Sequence, residues 1–517
     1  MPDQDRDSTA GPTDGAAAAQ QVATDAAAIA KGSAVVMAGG VGERALRFAI
    51  NWVLARFLGP AAFGVYSFVQ TVVATLVSLA ALGTDSGIVY FGARYRQAGE
   101  QARLKGTLVA CLGIGVVAGA LFSGGLWLAS QQLAAPADKA AAVSALPIGA
   151  ASVFLGTMLA VLTGGLVAAR DMRGQALVLQ LGLPALILVT AGAALALGAG
   201  ETGALWALAV AYGLSVLHGL SWFLRQYGRL LADRTVALRI ELIPLLRYSI
   251  PQSLARSLYQ ANLRIDILML TALAALSDVG VYKIATMIAQ LGALPVMAST
   301  TMFGPVVSEL VYSQQRDRLQ ALLRVVTRWL LIVAAPAYIV LLLVPDLVLR
   351  VFDARYATGG RALAVLMMGQ AVYVACATSG TVVSMAGHSG ANLFNGIVSV
   401  CLNLALNALL IPRLGLEGAA VGSAVAITAW SLLRVVEARW LVGCVAFDRR
   451  VLSVLGVAIL VTAAAAWVGH GAGIATRAGL AGGAVLAFVG FVFAAGRTNE
   501  DELVLGRVRS RLARLRR

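Results

Sequence analysis

The sequence predicts an all-α, polytopic membrane protein of about fourteen transmembrane helices. Three observations predict it. Of the 517 residues 59% are hydrophobic and only 13% charged, where a soluble domain carries about 25% charged residues. Mean hydropathy is +0.82. Apolar runs also recur along the chain, each long enough to cross about 30 Å of hydrocarbon at 1.5 Å per residue.

The runs begin near Ser33, Gly64, Gly106, Val143, Gly174, Gly203, Leu242, Val279, Ala321, Ala362, Ala391, Gly418, Val451 and Ala475. The fourteenth is rich in glycine and is the weakest of them. Loop charges give an independent test, because cytoplasmic loops are enriched in Lys and Arg. With the N-terminus inside, the cytoplasmic side receives Arg94, Arg96, Arg103 and Lys105, then Arg170 and Arg173, then Arg225, Arg229, Arg234 and Arg239, and finally the tail "RTNEDELVLGRVRSRLARLRR". The outer loops carry fewer cations, partly offset by Asp138, Asp346, Asp353 and Glu417. An even number of spans with both termini cytoplasmic fits that asymmetry.

A repeat divides the chain. "FGVYSFVQTVVATLVSL" in the second helix is echoed by "VGVYKIATMIAQLGALP" in the eighth, and "AGETGALWALAVAY" by "GLEGAAVGSAVAIT". An offset of six helices is even, so the copies share an orientation and form a parallel repeat. The resulting expectation is two six-helix lobes plus two C-terminal helices. A disordered cytoplasmic tail covers residues 1–32, the N-lobe 33–224, a basic cytoplasmic linker 225–241 and the C-lobe 242–443. Helices thirteen and fourteen occupy 444–496, and a basic cytoplasmic tail 497–517.

Several function classes are excluded. The net charge of +15 has no basic soluble domain to carry it, so nucleic acid is not an expected partner. Cys111, Cys376, Cys401 and Cys444 fall in apolar runs without close pairing and read as small core residues. His218, His388 and His470 are too scattered for a metal site. No Gly-rich phosphate loop ending in Gly-Lys-Ser or Gly-Lys-Thr is present, and no enzymatic motif stands out.

The charges inside the helices are the informative residues, since each costs about 2.5–3.5 kcal/mol at a helix centre. In "GVGERALRFAINWVLARFLG", Glu43 and Arg47 lie about 40° apart and Arg44 about 60° beyond, on one stripe with Asn51. That stripe suits a water-filled cavity. A plain i,i+4 ion pair between Glu43 and Arg47 is the simpler alternative. In the seventh helix, "YSIPQSLARSLYQANLRIDILML", Arg256 and Arg264 lie about 80° apart and Asp266 about 80° to the other side of Arg256. Equivalent helices of two lobes that offer arginines describe an anion site, because the planar guanidinium donates two hydrogen bonds at once to phosphate. Asp85 reads either as a carboxylate that binds or relays a cation or as the partner of a cavity arginine. Lys283 reads as snorkelling to the outer interface, and Glu309, Arg434 and Glu437 as interfacial or paired. Pro251, Pro295 and Pro305 interrupt helices seven and eight, where bending is expected.

Several spaced blocks carry a family likeness: "LARFLGPAAFGVYSF", "NLRIDILMLTALAALSDVGVYKIATMIAQL", "MFGPVVSEL" and "LNLALNALLIPRLGLEGAAVGSAVA". In order and spacing they resemble the polysaccharide-exporting branch of the multidrug/oligosaccharidyl-lipid/polysaccharide transporter superfamily, from about Ser33 to about Gly443. The resemblance implies a two-lobed flippase, not an enzyme, in a bacterial plasma membrane. It would carry undecaprenyl-pyrophosphate-linked oligosaccharide outward through a cationic cavity, without a cofactor and driven by protons, sodium or membrane potential. Membrane lipids, a polysaccharide polymerase and glycosyltransferases are the partners it implies. The assignment of Arg44, Arg47, Arg256 and Arg264 to the cavity wall, with Glu43, Asp85 and Asp266 orienting or coupling, rests on the helix geometry. Three alternatives stay open: a cation-coupled multidrug antiporter, a peptidoglycan-precursor flippase and a non-transporting scaffold.

Overall fold

The computed structural model describes residues 12–133 and 136–495. Expectations for residues 1–11 and for the basic tail at 497–517 lie outside the described residues. Between Pro12 and residue 32, where an irregular tail was expected, the chain is helical. The Ala-rich composition that reads as low complexity is also the strongest of helix formers.

The described residues form α-helices with short 3₁₀ and π turns and contain no strand. They divide into two compact units. Unit 1 holds residues up to Val53, Leu76–Gln132 and Leu146–Arg256, and unit 2 holds Leu54–Thr75, Leu133–Ala145 and the chain from Ser257. The helix-by-helix division expected at 33–224 and 242–443 is a different cut, because both α1 (Pro12–Ala80) and α9 (Leu242–Asn262) pass from one unit into the other.

In unit 1 the helices after α1 are α2 (Thr84–Gln97), α3 (Gln101–Gln132), α5 (Leu146–Ala168), α6 (Met172–Gln175), α7 (Leu183–Ala196) and α8 (Gly200–Ala232), followed by the first half of α9. Unit 2 contains α4 (Ala140–Ser144), α10 (Ile265–Leu273), α11 (Leu276–Leu291), α12 (Leu294–Tyr312), α13 (Arg316–Leu343) and α14 (Pro345–Arg350). It continues with α15 (Gly360–Met385), α16 (Ser389–Leu414), α17 (Leu416–Glu437), α18 (Arg449–Val468) and α19 (Ile474–Ala495).

Among the described residues, eleven helical stretches are long and apolar enough to cross a membrane. The first of them, Gly39–Gln97, has 59 residues and is long enough for two crossings. It turns at Gly59, whose φ of 77° suits a residue without Cβ, and Pro60 restarts the helix where a missing N–H costs nothing. The seventh and eighth helices fall outside the eleven: each is broken, α9 from α10 at Arg264 and α11 from α12 at Ala293, and α9 is also polar. With them included, the count reaches the fourteen that the apolar runs predict.

Glycine sets how closely helices approach in each unit. In unit 1 a Cβ on Gly164 would stand 2.8 Å from the Asp85 carbonyl oxygen, which ties α5 to α2. Ile88, Phe91, Leu108, Val161 and Phe223 fill the core beside it. In unit 2 the two Gly-Val-Tyr copies meet each other. A Cβ on Gly64 would stand 3.2 Å from the Gly280 nitrogen, and one on Gly280 would stand 3.1 Å from the Gly64 nitrogen. Each glycine also abuts the backbone carbonyl four residues before the other, Leu276 and Pro60. The repeated motif therefore packs against its own copy in a reciprocal contact. Further along unit 2, Arg477 clamps α19 by donating to the Leu343 carbonyl at 2.7 Å and to Asp346 at 3.0 Å. Of the four cysteines, Cys111, Cys376 and Cys444 are buried and free as expected, whereas Cys401 is exposed, since its position on α16 faces away from the packed side.

The linker of unit 1 is an extended strap held on α3. Arg239 donates its amide to the Ala102 carbonyl at 3.3 Å, and Lys105 donates to the Asp233 carbonyl at 2.6 Å. At its end Glu241 accepts from the Tyr95 hydroxyl at 2.7 Å and pairs with Arg103 at 2.9 Å. The Tyr95 hydrogen bond, helped by Arg103 and Arg239 and opposed by partial burial, holds the Glu241 carboxyl below its ordinary range. A depressed folded value means that the clasp is fully present above the ordinary carboxylate pKa of about 4.3 and fades as pH falls through the folded value.

Two measurements check this architecture. Gly64→Val and Gly280→Val should each lower the melting temperature in detergent through overpacking against backbone, a cost of about 1–3 kcal/mol. Gly113→Ala, where a Cβ meets nothing within 4 Å, should leave it unchanged. Hydrogen exchange over residues 233–241 should be faster in Glu241→Gln than in wild type at pH 7, and the difference should shrink only as pH falls below the ordinary carboxylate pKa of about 4.3 and through the depressed folded value.

Candidate functional site

On α1, Arg47 Nε donates to Glu43 Oε1 at 2.8 Å, so the i,i+4 ion pair does form. About half of the Arg47 side chain stays exposed, at 51%. Asn51 donates to the Arg47 carbonyl at 2.7 Å, and Arg44 reaches back to the Gly40 carbonyl at 3.4 Å. Each contact spans one helical turn, as side chains directed toward the helix N-terminus dictate. Gly39 lets the same segment lie against the π turn at Ala176–Gly182, where a Cβ would be 3.3 Å from the Gln180 side-chain carbon.

Asp85 owes its position to a break in the second span. Leu82 and Gly83 have φ of 45° and 72°, and α2 restarts with Asp85 in its first turn, where the helix dipole favours a carboxylate. Gly83 and Gly87 admit the Ser249 backbone and side chain, and the Tyr90 and Tyr248 rings stack at 4.4 Å. These contacts lay α9 along α2 within unit 1. Arg256, two turns past Ser249, then reaches back to form an ion pair with Asp85 through Nη1. Of the two readings of Asp85, the structure thus gives the arginine partner. The Arg256 side chain remains 53% exposed.

Unit 1 therefore contains Glu43, Arg44, Arg47, Asp85 and Arg256. Three guanidiniums and two carboxylates leave one net positive charge, less than four unpaired arginines would supply. The pairs use single edges: Arg47 contributes Nε and Arg256 contributes Nη1. The rest of each planar fork stays available for a bidentate oxyanion.

Arg264 and Asp266 lie in unit 2, at the N-cap and in the first turn of α10. Asp266 is buried and its four bonding partners are all neutral. Oδ1 accepts from Asn403 at 2.8 Å and Asn407 at 2.7 Å, while Oδ2 accepts from Tyr282 at 3.0 Å and from Ser423. The orienting role expected of Asp266 toward an arginine is not expressed in these bonds. Asn403 and Asn407, one turn apart on α16, were missed in the sequence; their signal was the spacing of two amides in the apolar run "LNLALNALL".

The remaining intramembrane charges are placed as follows. Arg434 lies 4.2 Å from the centre of the Trp430 ring and donates to Asn392, and Glu437 accepts from Asn395 at 2.6 Å. Both are paired, one of the two expectations for them. Glu309 is exposed and Lys283 half-buried. Arg328 on α13 is 3% exposed. It went unnoticed because "RDRLQALLRVVTRWLL" reads as the basic mouth of a span.

A buried carboxylate with four donors is sensitive to the loss of its charge. Asp266→Leu should lower stability by about 1–3 kcal/mol for each donor left unsatisfied, since the Asn403 amide loses its acceptor and Asn407 keeps only the Asn403 side-chain oxygen at 3.0 Å. Asp266→Asn should cost less. Thermal unfolding of the two variants in detergent checks the order, and equal melting temperatures for wild type and Asp266→Leu would remove the network from the list of structural supports.

No curated protein matches the chain in sequence. The structure resembles "Lipid II flippase MurJ, inward closed conformation" with a TM-score of 0.68 and 13% identity, covering 90% of this chain and 99% of that one. It also resembles an inward-facing multidrug resistance MATE family transporter of the MOP superfamily, with a TM-score of 0.65, 16% identity, and 77% and 94% coverage. A MOP superfamily transporter from Pyrococcus furiosus, described as having a binding pocket of reversed polarity, aligns with a TM-score of 0.54 and 18% identity over 80% and 95% of the two chains. These likenesses establish a MOP-type helical membrane fold. Residues 29–311, more than half of the chain, match the family described as polysaccharide biosynthesis protein, and the chain belongs to that family.

Proposed function

We propose that this protein is a flippase that moves an undecaprenyl-pyrophosphate-linked oligosaccharide from the cytoplasmic to the outer face of a bacterial plasma membrane. Both termini are cytoplasmic, and the substrate is reached by alternating access. Arg44, Arg47 and Arg256 meet the pyrophosphate, and Glu43 and Asp85 orient Arg47 and Arg256. The observation that carries the reading is a pair of arginines of unit 1, Arg47 and Arg256: each guanidinium is about half exposed and has one edge tied to a carboxylate. A solvated, singly tethered guanidinium inside a span suits a phosphate head group. Asp266, in a shell of neutral donors, is the carboxylate assigned to coupling with protons or sodium. Membership in the polysaccharide biosynthesis family supports a saccharide cargo.

A peptidoglycan-precursor cargo shares the pyrophosphate, and the likeness to a lipid II flippase keeps it as the second reading. A multidrug antiporter fits less well, because a net positive set repels cationic drugs in a low-dielectric site.

Surface-side labelling of lipid-linked oligosaccharide tests the proposal. A deletion strain and one carrying Arg44→Ala with Arg256→Ala should both hold the lipid-linked sugar on the cytoplasmic face. The double variant should be slowed on the order of 10–100-fold, as expected for two lost charge-assisted contacts. A deletion that leaves labelling unchanged would overturn the function. Trapping by the deletion but not by the double variant would overturn the site alone.

A further inference from the structure

Unit 1 has a second polar site that shares no residue with the charged set described above. It is a cavity of about 370 Å³ at the ends of α2, α3, α5 and α8. Its floor includes the buried Tyr95, Leu104 and Tyr227, and its rim the exposed Arg96, Arg229 and Asp233. The floor tyrosines are already engaged, Tyr95 with Glu241 at 2.7 Å and Tyr227 with the Gly165 carbonyl at 3.0 Å. Recognition is left to the rim.

Arg96 spends one N–H on the Ala169 carbonyl at 2.7 Å. The Arg229 side chain forms no ion pair or hydrogen bond with the described residues. At the C-cap of the same helix, Thr235 donates its amide at 2.9 Å and its hydroxyl at 2.6 Å to Asp233 Oδ1. Those bonds hold the Asp233 carboxyl below its ordinary range, so it meets a ligand as an anion. The carboxyl ends of α2, α5 and α8 also point at the cavity and add partial negative charge. The rim therefore carries both signs: guanidiniums in the last turns of α2 and α8, and a carboxylate at the C-cap of α8, one turn past Arg229.

We propose that this cavity binds the head group of a zwitterionic membrane phospholipid, with its phosphodiester on Arg96 and Arg229 and its ammonium on Asp233. Position and size support a lipid source. The cavity lies where four helices of unit 1 meet at their ends; basic pockets between membrane helices hold the phosphates of anionic lipid head groups, and the Asp233 carboxylate adds a partner for an ammonium. Its volume is at the small end of ligand sites, which run from about 300 to 1,000 Å³. That suits a head group and not a lipid-linked saccharide. The chain's own basic tail carries no phosphate and cannot supply such a ligand.

Native mass spectrometry of the full chain in detergent, with phosphatidylethanolamine or phosphatidylglycerol added at equal concentration, tests the inference. Wild type should retain phosphatidylethanolamine preferentially. Arg229→Gln, which removes no internal contact, should weaken that retention about tenfold, as expected for one lost charge-assisted donor. Asp233→Asn should keep lipid binding but erase the preference. Arg450→Gln, on the exposed N-terminal turn of α18, should change nothing. Equal retention of both lipids by wild type, or unchanged retention in Arg229→Gln, would overturn the site. Thermal stabilisation by inorganic phosphate without any retained lipid would overturn the lipid as its source.

Discussion

The structure depends above all on the cost of placing charge in hydrocarbon. A lone charge at a helix centre cancels the apolar gain of several leucines, so each must be paired, solvated or shielded. Four solutions occur in this chain. Glu43 and Arg47 pair along one helix, Arg256 and Asp85 pair within unit 1 but 171 residues apart in sequence, Asp266 is surrounded by amides and hydroxyls, and Arg434 lies on an indole. The solutions differ in what they leave over. A buried shell consumes a group's bonding capacity, whereas a one-edged ion pair with half the side chain exposed leaves donors to spare. Function is read most directly from the second kind.

Backbone irregularity places these charges. Asp85 and Asp266 each occupy the first turn of a helix that restarts after a break within a span, at Gly83 and at Arg264. A restarted helix presents unsatisfied N–H groups and a positive dipole end, which lowers the cost of a carboxylate there. A straight span would have offered neither residue this compensation. Glycine plays the complementary part by letting backbones touch, at Gly64 against Gly280 and at Gly83 against Ser249. Those contacts decide which side chains from distant parts of the sequence can meet.

The count of helices and the repeat were legible because both are written in local pattern. Apolar runs have a length set by the bilayer, and the Gly-Val-Tyr copies recur at corresponding places. The Glu43–Arg47 pair was legible for the same reason, since helical pitch alone brings residues i and i+4 together. The partner of Arg256 was not, because it depends on the bend at Leu82–Gly83 and on the stacking of Tyr90 on Tyr248. The shell of Asp266 was hidden for a similar reason: its donors come from three other helices, and only the Asn spacing on one of them carries a trace. The unit boundaries escaped because contacts divide α1 and α9 along their lengths, while sequence pattern marks only where helices begin and end.

Neutralising part of the arginine set also bears on how such a protein could work as a flippase. Three unpaired guanidiniums in unit 1 would make the empty site costly to carry through any state that excludes water. With Glu43 and Asp85 in place the set carries one net positive charge, and the empty protein keeps its arginines at lower cost. Under the proposed function, a pyrophosphate would bond to the unused edges of Arg47 and Arg256 with both ion pairs intact. The carboxylates then set an upper limit on affinity through their repulsion of the anion. A transporter needs that limit, because a site that held pyrophosphate with every donor unopposed would release it slowly on the far side.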